Sequence, residues 1–529
     1  MPVSMPAMPT SSSAAPSASA APAAADRPTP GQASRFLAQA TFGPTRAEIE
    51  RVVAIGYGRW IDEQRAAPPS QTHFDWLVAT GRNTEAFKGN GINAPLEATL
   101  WRKFIAAPDQ LRTRAAFAFS EIFVINTLSI SASWPMFGGA AFMDTLAAHS
   151  LGNFRDMLEA VTRSLQMGCM LTYRGSRKED VKTGRSPDEN YAREVMQLFT
   201  IGLYELNPDG TLKLRDGKAV ETYTNDDVRG LAKVFTGWDL AGPETDPECQ
   251  RRPMALNPAN HSMSEKRFLG KVVAPGTGGV ESLRIALDTL CAHPNVGPFI
   301  GTQLIQRLVT SNPSPAYVGR VAAVFADNGK GQRGDLGAVL RAVLLDRDAR
   351  QPDLESPTWG KVREPIVRFA AWARAFGATS RNGKWEMPDT TDSTVRLGQS
   401  PLKAPSVFNF FRPRFTPPNT VIAQMGLVAP EFQITDETSV AGYLNFLAIY
   451  VDRGWEDLQT DYAAEVALAD DTQALLRHIV LLLAGDAFST ATTQVIANAV
   501  AEIPAQRKLD RVRAAITLVA ATPEYLVQK

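Results

Sequence analysis

Apolar residues recur every three or four positions along most of the chain beyond residue 34, the spacing that gathers them on one face of an α-helix. Phe36, Leu37 and Ala40 form the first such face, and Gly43-Pro44 interrupts it. Thr45 and Glu48 then stand as a capping box for a helix through Ile49, Val52 and Val53, giving helix, turn, helix. The same periodicity predicts helices over 96–105 and over 109–125, where Leu111, Ala115, Ala118, Ile122 and Ile125 share a face. Asn153 can cap a helix carrying Phe154, Leu158, Val161 and Leu165, and Ser186-Pro187 reads as a cap followed by a proline at the first helical position.

The pattern changes between residues 203 and 223. Asp209-Gly210 and Asp216-Gly217 are turn dipeptides flanking the alternating Leu212-Lys213-Leu214, so a small β-hairpin is expected there. Helical spacing resumes at Asp226 and continues through 283–291, 299–309, 316–326, 336–345, 362–376 and 440–450, ending in a cluster over 472–484, 490–502 and 509–522. No fixed repeat emerges, which argues against a solenoid. The expected fold is mainly α, a multi-helix globular protein with a small β-hairpin insertion. Its expected organisation is a tail over 1–33, a main helical domain over 34–400, and a C-terminal part over 401–529 that opens with the proline-rich stretch 401–418.

Composition narrows the function classes. With 44% apolar and 21% charged residues the 529-residue chain can bury a large core, so wholesale disorder is excluded. Lysine plus arginine and aspartate plus glutamate both total 55, a balance with no global field for a polyanion, so no nucleic-acid partner is expected. The most apolar runs, such as 479–484, fall far short of the roughly 20 residues that span a bilayer, so no transmembrane segment is expected. Cys169, Cys249 and Cys291 include no Cys-x-x-Cys pair, leaving one disulfide plus a thiol, or three thiols. The first 26 residues are nearly all Ala, Ser, Pro and Met, a composition that reads as a disordered linker. Such a linker suits the tether after an export signal, and equally a plain disordered terminus.

The candidate chemistry concentrates between Ser186 and Gly270. Helical rotation from residue 187 onward puts Asn190, Arg193, Glu194 and Gln197 on one stripe, where carboxylate, amide and guanidinium together could orient a substrate or hold a divalent metal. The plainer reading of that stripe is a solvated face with an Arg193–Glu189 ion pair. Thr224-Asn225-Asp226-Asp227 opens another helix, and capping alone can explain Asp227. That helix is expected to end at Gly237, followed by Trp238. His261 is one of five histidines, none paired at His-x-x-x-His spacing. The segment from Glu205 through Gly210 to Asp216 partly mimics a calcium-binding loop, although the hairpin turn explains it more simply. Hydrolase-elbow, Walker A and dinucleotide motifs are missing from their strand-to-helix settings.

In order along the chain, Ser34-Arg35-Phe36-Leu37-Ala38-Gln39-Ala40-Thr41-Phe42-Gly43-Pro44, Arg114-Ala115-Ala116-Phe117-Ala118-Phe119-Ser120 and Asp188-Glu189-Asn190-Tyr191-Ala192-Arg193-Glu194 stand out. Tyr223-Thr224, Thr236-Gly237-Trp238, His261 with Lys266, Arg363-Glu364-Pro365, Ser406-Val407-Phe408-Asn409-Phe410-Phe411, Pro430-Glu431-Phe432 and Pro523-Glu524-Tyr525-Leu526 follow. On these segments the chain resembles the bacterial domain-of-unknown-function family 1800. The resemblance implies a helical, exported bacterial protein in the periplasm or outside the cell, often encoded beside a sulfatase-like protein. The chain departs from the family pattern at Gln197, where glutamate is common, at Phe199, often histidine, and at Ser262, commonly aspartate.

Two functional readings follow. One is a hydrolase or lyase acting on a glycan or similar polymer, with Glu194, Asp227 and His261 as acid–base or metal-binding groups and Asn190, Arg193, Gln197 and Trp238 contacting substrate. The other is a non-catalytic binding or assembly partner of the sulfatase-like protein. A buried or cleft position for Glu194 favours the first, and full exposure the second.

Overall fold

In the computed structural model, which describes residues 27–89, 94–485 and 487–529, helices follow one another from Pro30–Ala40 to Pro523–Leu526. The strands form only two-stranded antiparallel pairs, so the fold is mainly α with small hairpins, as the periodicity implies. Residues 1–26, the bulk of the expected tail, lie outside the described residues. The first helix starts ahead of the expected onset at Ser34, because Thr29 and Gln32 form a reciprocal capping box and Pro30 occupies the first turn.

Caps set the local frame. Thr45 accepts from the Glu48 N–H and opens Arg46–Ile55, while the Glu48 carboxylate takes the Thr45 hydroxyl (3.1 Å) and Arg374 Nη2 (2.7 Å). Arg374 also donates to the carbonyls of Gly43 (2.7 Å) and Ile105 (2.9 Å), pinning the first turn onto helix Pro365–Ala375. That approach requires glycine. Gly43 has φ 134°, and a Cβ there would lie 2.5 Å from the Ala371 Cα.

Aromatic stacking carries the core from one end of the chain to the other. Phe42 stacks on Phe104 (4.2 Å between centroids), Trp101 meets Phe369 edge-on (5.3 Å), and Phe369 packs against Tyr450 (5.0 Å). The chain on both sides of the irregular stretch 401–418 therefore contributes to one continuous hydrophobic cluster. Ser34 Oγ donates to the Leu481 carbonyl (2.6 Å), and strand Val527–Gln528 pairs with Lys361–Val362.

Four local expectations need correction or refinement. The helix expected over 109–125 ends at Ser120, because the Glu121 carbonyl is drawn into a bond from Arg307 Nη2 (2.9 Å), and Ile122 and Ile125 bury their side chains from irregular chain. Ser186-Pro187 opens no helix. Helix Asn190–Gln197 begins later, where Asp188 Oδ1 accepts from the Asn190 N–H (2.8 Å). The helix from Asn225 stops at Ala232 and tightens into a 3₁₀ turn over Lys233–Phe235, so Gly237 is not its cap although it has φ 86°. The expected hairpin forms between Leu214–Arg215 and Lys218–Ala219, with Asp216 and Gly217 at φ 53° and 75°, as a type I′ turn requires.

All three cysteines are free, which removes the disulfide option. Among the described residues no helix is long and apolar enough to cross a membrane. In the calcium-like loop Asp209 takes the N–H (3.0 Å) and hydroxyl (2.7 Å) of Thr211, and Glu205 pairs with Lys213 (3.2 Å). Both carboxylates are thus engaged by the hairpin itself.

Candidate functional site

Helix Asn190–Gln197 is amphipathic, with Tyr191, Val195 and Met196 fully buried on one side. Tyr191 fixes its rotation: the hydroxyl meets Thr162 Oγ1 (2.7 Å) and the ring stacks on Tyr173 (4.2 Å). That setting separates the members of the polar stripe. Asn190 is exposed and donates to Thr172 Oγ1 (3.4 Å), and Arg193 makes the plain ion pair with Glu189 (3.4 Å) while reaching Asn225 Oδ1 (3.4 Å). Gln197 Oε1 accepts from the Tyr223 hydroxyl (3.0 Å).

Glu194 differs from its neighbours. It is only 9% exposed, and its Oε2 is buried without a hydrogen-bond partner. Burial pushes its carboxyl above the ordinary range, with Arg193 opposing. The nearby Tyr223 phenol is raised as well, mainly by burial, with Arg193 opposing and the Glu194 charge adding.

Asp227 has a full set of partners. Its Oδ2 takes the Thr224 N–H (2.8 Å) and hydroxyl (2.7 Å), and its Oδ1 takes the Leu269 N–H (2.7 Å). It therefore caps its own helix and fastens the turn of hairpin Lys266–Phe268/Lys271–Val273, a turn in which Leu269 has φ 48°. Gly230 on the same helix lets this hairpin approach: a Cβ there would sit 1.7 Å from the Arg267 carbonyl oxygen.

His261 is 1% exposed at the far end of that helical stretch. Its Nδ1 lies 2.9 Å from the Thr236 carbonyl oxygen, so it carries the proton, and Nε2 is buried without a partner. Burial depresses its basicity, the Thr236 carbonyl opposing and Lys266 adding. The α-helix to Ala232 rises about 1.5 Å per residue and the 3₁₀ turn to Phe235 about 2.0 Å, so Asp227 and Thr236, to which His261 is tied, stand at opposite ends of this stretch. Ser262 Oγ donates to Glu179 Oε1 (2.9 Å), and Lys266 is fully buried beside this pair. Trp238 is 4% exposed, paired through its strand with Ala255–Leu256 and covered by the Arg163 guanidinium (5.7 Å from the ring centroid). The three acid–base candidates thus have separate hydrogen-bond shells, and Glu194 alone among them has a buried carboxylate oxygen with no donor.

A family model described as a protein of unknown function, DUF1800, matches residues 35–527. The chain belongs to that family. No match is found among curated proteins or solved structures.

The DUF1800 chain also holds a centre that helical spacing did not reveal. Arg114, Glu364, Asn409 and Glu431 converge in the interior with Glu121, Arg307 and Lys361. Asn409 Nδ2 donates to Glu121 Oε1 (3.1 Å) across 288 residues of sequence, and Arg114 Nη2 donates to the Arg307 carbonyl (2.9 Å) across 193. Lys361 pairs with Glu431 (2.9 Å) and donates to the Arg307 carbonyl (3.0 Å), while Gln399 Nε2 donates to Glu364 Oε2 (2.7 Å). Burial drives the Glu121 carboxyl well above its ordinary range, the Glu364 charge adding and Arg307 opposing. A cavity of about 20 Å³ touches Glu121, Gln399 and Asn409, room for one water. The visible signal was charged residues inside otherwise apolar segments, such as Glu431 between Pro430 and Phe432. Among the described residues, no group of three or more His, Cys, Asp or Glu side chains is placed to hold a metal ion.

Proposed function

We propose that this DUF1800 protein is a hydrolase or lyase that works outside the cytoplasm on a glycan or similar polymer, with Glu194 as its acid–base group. The supporting observation is the buried, partnerless Oε2 of Glu194 on a helix whose other polar residues are paired. A carboxyl held this way costs stability and keeps its proton closer to neutral pH, the condition for proton transfer. Tyr223, bonded to Gln197, lies beside it as a neutral hydroxyl. Asn190 and Arg193 continue the same helix toward solvent and are the substrate-contacting members of this reading. His261, buried on the Thr236 carbonyl, and Asp227, which anchors the hairpin that carries Lys266, act as positioning residues.

The test is Glu194→Gln, which keeps the volume and removes the ionisable group. A screen on glycans and on sulfate and phosphate esters, with and without chelator, should show a wild-type activity that the variant loses by about 10²–10⁴-fold. Full activity in the variant would exclude Glu194. A wild type inert on the whole panel would favour the binding and assembly reading, with the sulfatase-like protein as partner.

A further inference from the structure

The segment from Thr172 to Glu189 borders a groove of about 650 Å³ lined by Thr172, Arg174, Ser176, Arg177, Arg185 and Asp188, among others. Its backbone is held rigidly against the structure beneath. Gly175 N donates to the Trp238 carbonyl, Lys178 N to the Asn260 carbonyl, and Gly237 N to the Ser176 carbonyl, each at 2.8 Å. Asp180 and Arg185 close the tip by exchanging two backbone bonds. Thr172, a β-branched residue, has φ 61°, a strained conformation that the bond from its hydroxyl to Asp188 Oδ2 (2.9 Å) helps to hold.

Charge is sorted by sign across this segment. Its acids turn to partners within the protein: Glu179 to Ser262, Asp180 to the Lys182 N–H, Asp188 to Thr172 and the Asn190 N–H, and Glu189 to Arg193 and Arg229. Arg177, Lys178, Lys182 and Arg185 are exposed, and none is ion-paired. Arg177 and Arg185 line the groove, Arg185 also donating Nε to the Lys178 carbonyl (3.0 Å), and Lys178 and Lys182 stand on the same segment outside that lining. The groove is shallow and open to solvent, a shape suited to an extended chain and not to an enclosed small molecule.

We propose that this groove binds an acidic oligosaccharide, one whose sugar rings carry carboxylate or sulfate groups. The Arg177 and Arg185 guanidinium groups meet the anions in the groove, and the Lys178 and Lys182 ammonium groups meet those of the part of the chain that runs beyond it. The Ser176 hydroxyl meets the sugar hydroxyls, Thr172, Asp188 and Glu189 being held by their partners within the protein. Nucleic acid fits less well, since no aromatic ring lines the groove for base stacking and the two carboxylates oppose closely spaced phosphates. The proposal deepens the catalytic reading by naming its substrate class: Asn190, bonded to Thr172, stands at the groove and Glu194 follows one helical turn later.

The experiment is a binding titration of the full chain against four labelled probes: an oligogalacturonate, a heparin oligosaccharide, a neutral cello-oligosaccharide and single-stranded DNA. Tight binding of the first shows that carboxylate suffices, tight binding of the second without the first shows that sulfate is required, and the neutral sugar should not bind. Arg177→Gln/Lys178→Gln/Lys182→Gln should weaken the acidic sugar at least about tenfold and flatten its salt dependence. The single reversal Arg177→Glu should act in the same direction, and circular dichroism of both variants should match wild type because the substituted side chains are exposed. Failure of both acidic probes, unchanged binding by the variants, or DNA binding at least as tight as either sugar would overturn the proposal. The readout is affinity, so an inert Glu194 would remove the catalytic reading and leave this one standing.

Discussion

Lys361 and Glu431 offer the sharpest test of the buried centre. Their side chains are 4% and 3% exposed, and the ammonium lies 2.9 Å from Glu431 Oε1. Removing one partner from such a pair strands the other charge out of water, a loss of about 3–5 kcal/mol, whereas an exposed pair contributes about 0–1 kcal/mol. Lys361→Met also deletes the bond to the Arg307 carbonyl, roughly a further 1 kcal/mol. The Lys361→Met/Glu431→Met double variant fills the space with apolar atoms and should lose far less than the two single variants combined.

The loss also has a predicted pH dependence. Burial already raises the Glu431 carboxyl, and Lys361 is the first group opposing it. Without Lys361 that carboxyl rises further, so the folded state holds a proton that the unfolded state releases. Stability then falls as pH rises toward the folded value, and the Lys361→Met deficit should be smaller at pH 5 than at pH 7. Urea unfolding at both pH values, read as midpoint shifts at constant slope, measures this. A loss below about 1 kcal/mol in either single variant at pH 7, or a larger Lys361→Met deficit at pH 5, would refute the reasoning.

Three further outcomes are expected. Gly230→Ala puts a methyl 1.7 Å from the Arg267 carbonyl oxygen and should cost about 3 kcal/mol or more in the same unfolding assay, an unchanged midpoint showing that the hairpin gives way freely. Asp227→Ala removes the acceptor for the Thr224 and Leu269 N–H groups, so it should cost about 1–3 kcal/mol and speed amide exchange at Leu269; normal exchange there would disprove the anchoring role. The Asp144 carboxyl, pushed up to about 6 by burial against the bonds from the Phe74 and His73 N–H groups, keeps its proton in the fold after the unfolded chain has released it. Stability should therefore fall by at most about 3 kcal/mol between pH ~4 and ~6 and level off above, with ¹³C titration reporting the value and Asp144→Asn flattening the curve.

The helices were legible where their determinants are local. Thr45, Asn153 and Thr224 cap helices where expected, although the Asn153 helix ends at Thr162 and leaves Leu165 to a separate helix capped by Ser164, and Asp216-Gly217 makes its turn, because each signal lies within a few residues of its effect. The misplaced boundaries have distant or competing causes: Glu121 ends its helix beside Arg307, and Asp188 moves the start from Ser186-Pro187 to Asn190. Two- and three-residue strands such as Lys266–Phe268 are too short to show alternation. The amphipathic face that carries Glu194 was legible because one helical face is a local property, whereas the buried centre depends on pairings hundreds of residues apart that periodicity does not encode. The two sites also differ physically. In the centre carboxylates face guanidinium and ammonium groups across several elements, an arrangement that fixes how those elements meet. At Glu194 the opposing cation, Arg193, is shared with Glu189, and one carboxylate oxygen has no donor. Glu121, Glu364 and Glu431 each leave one carboxylate oxygen without a donor too, but guanidinium and ammonium groups surround them, whereas Glu194 sits on a helix face with one shared cation, and this contrast points to chemistry at helix Asn190–Gln197.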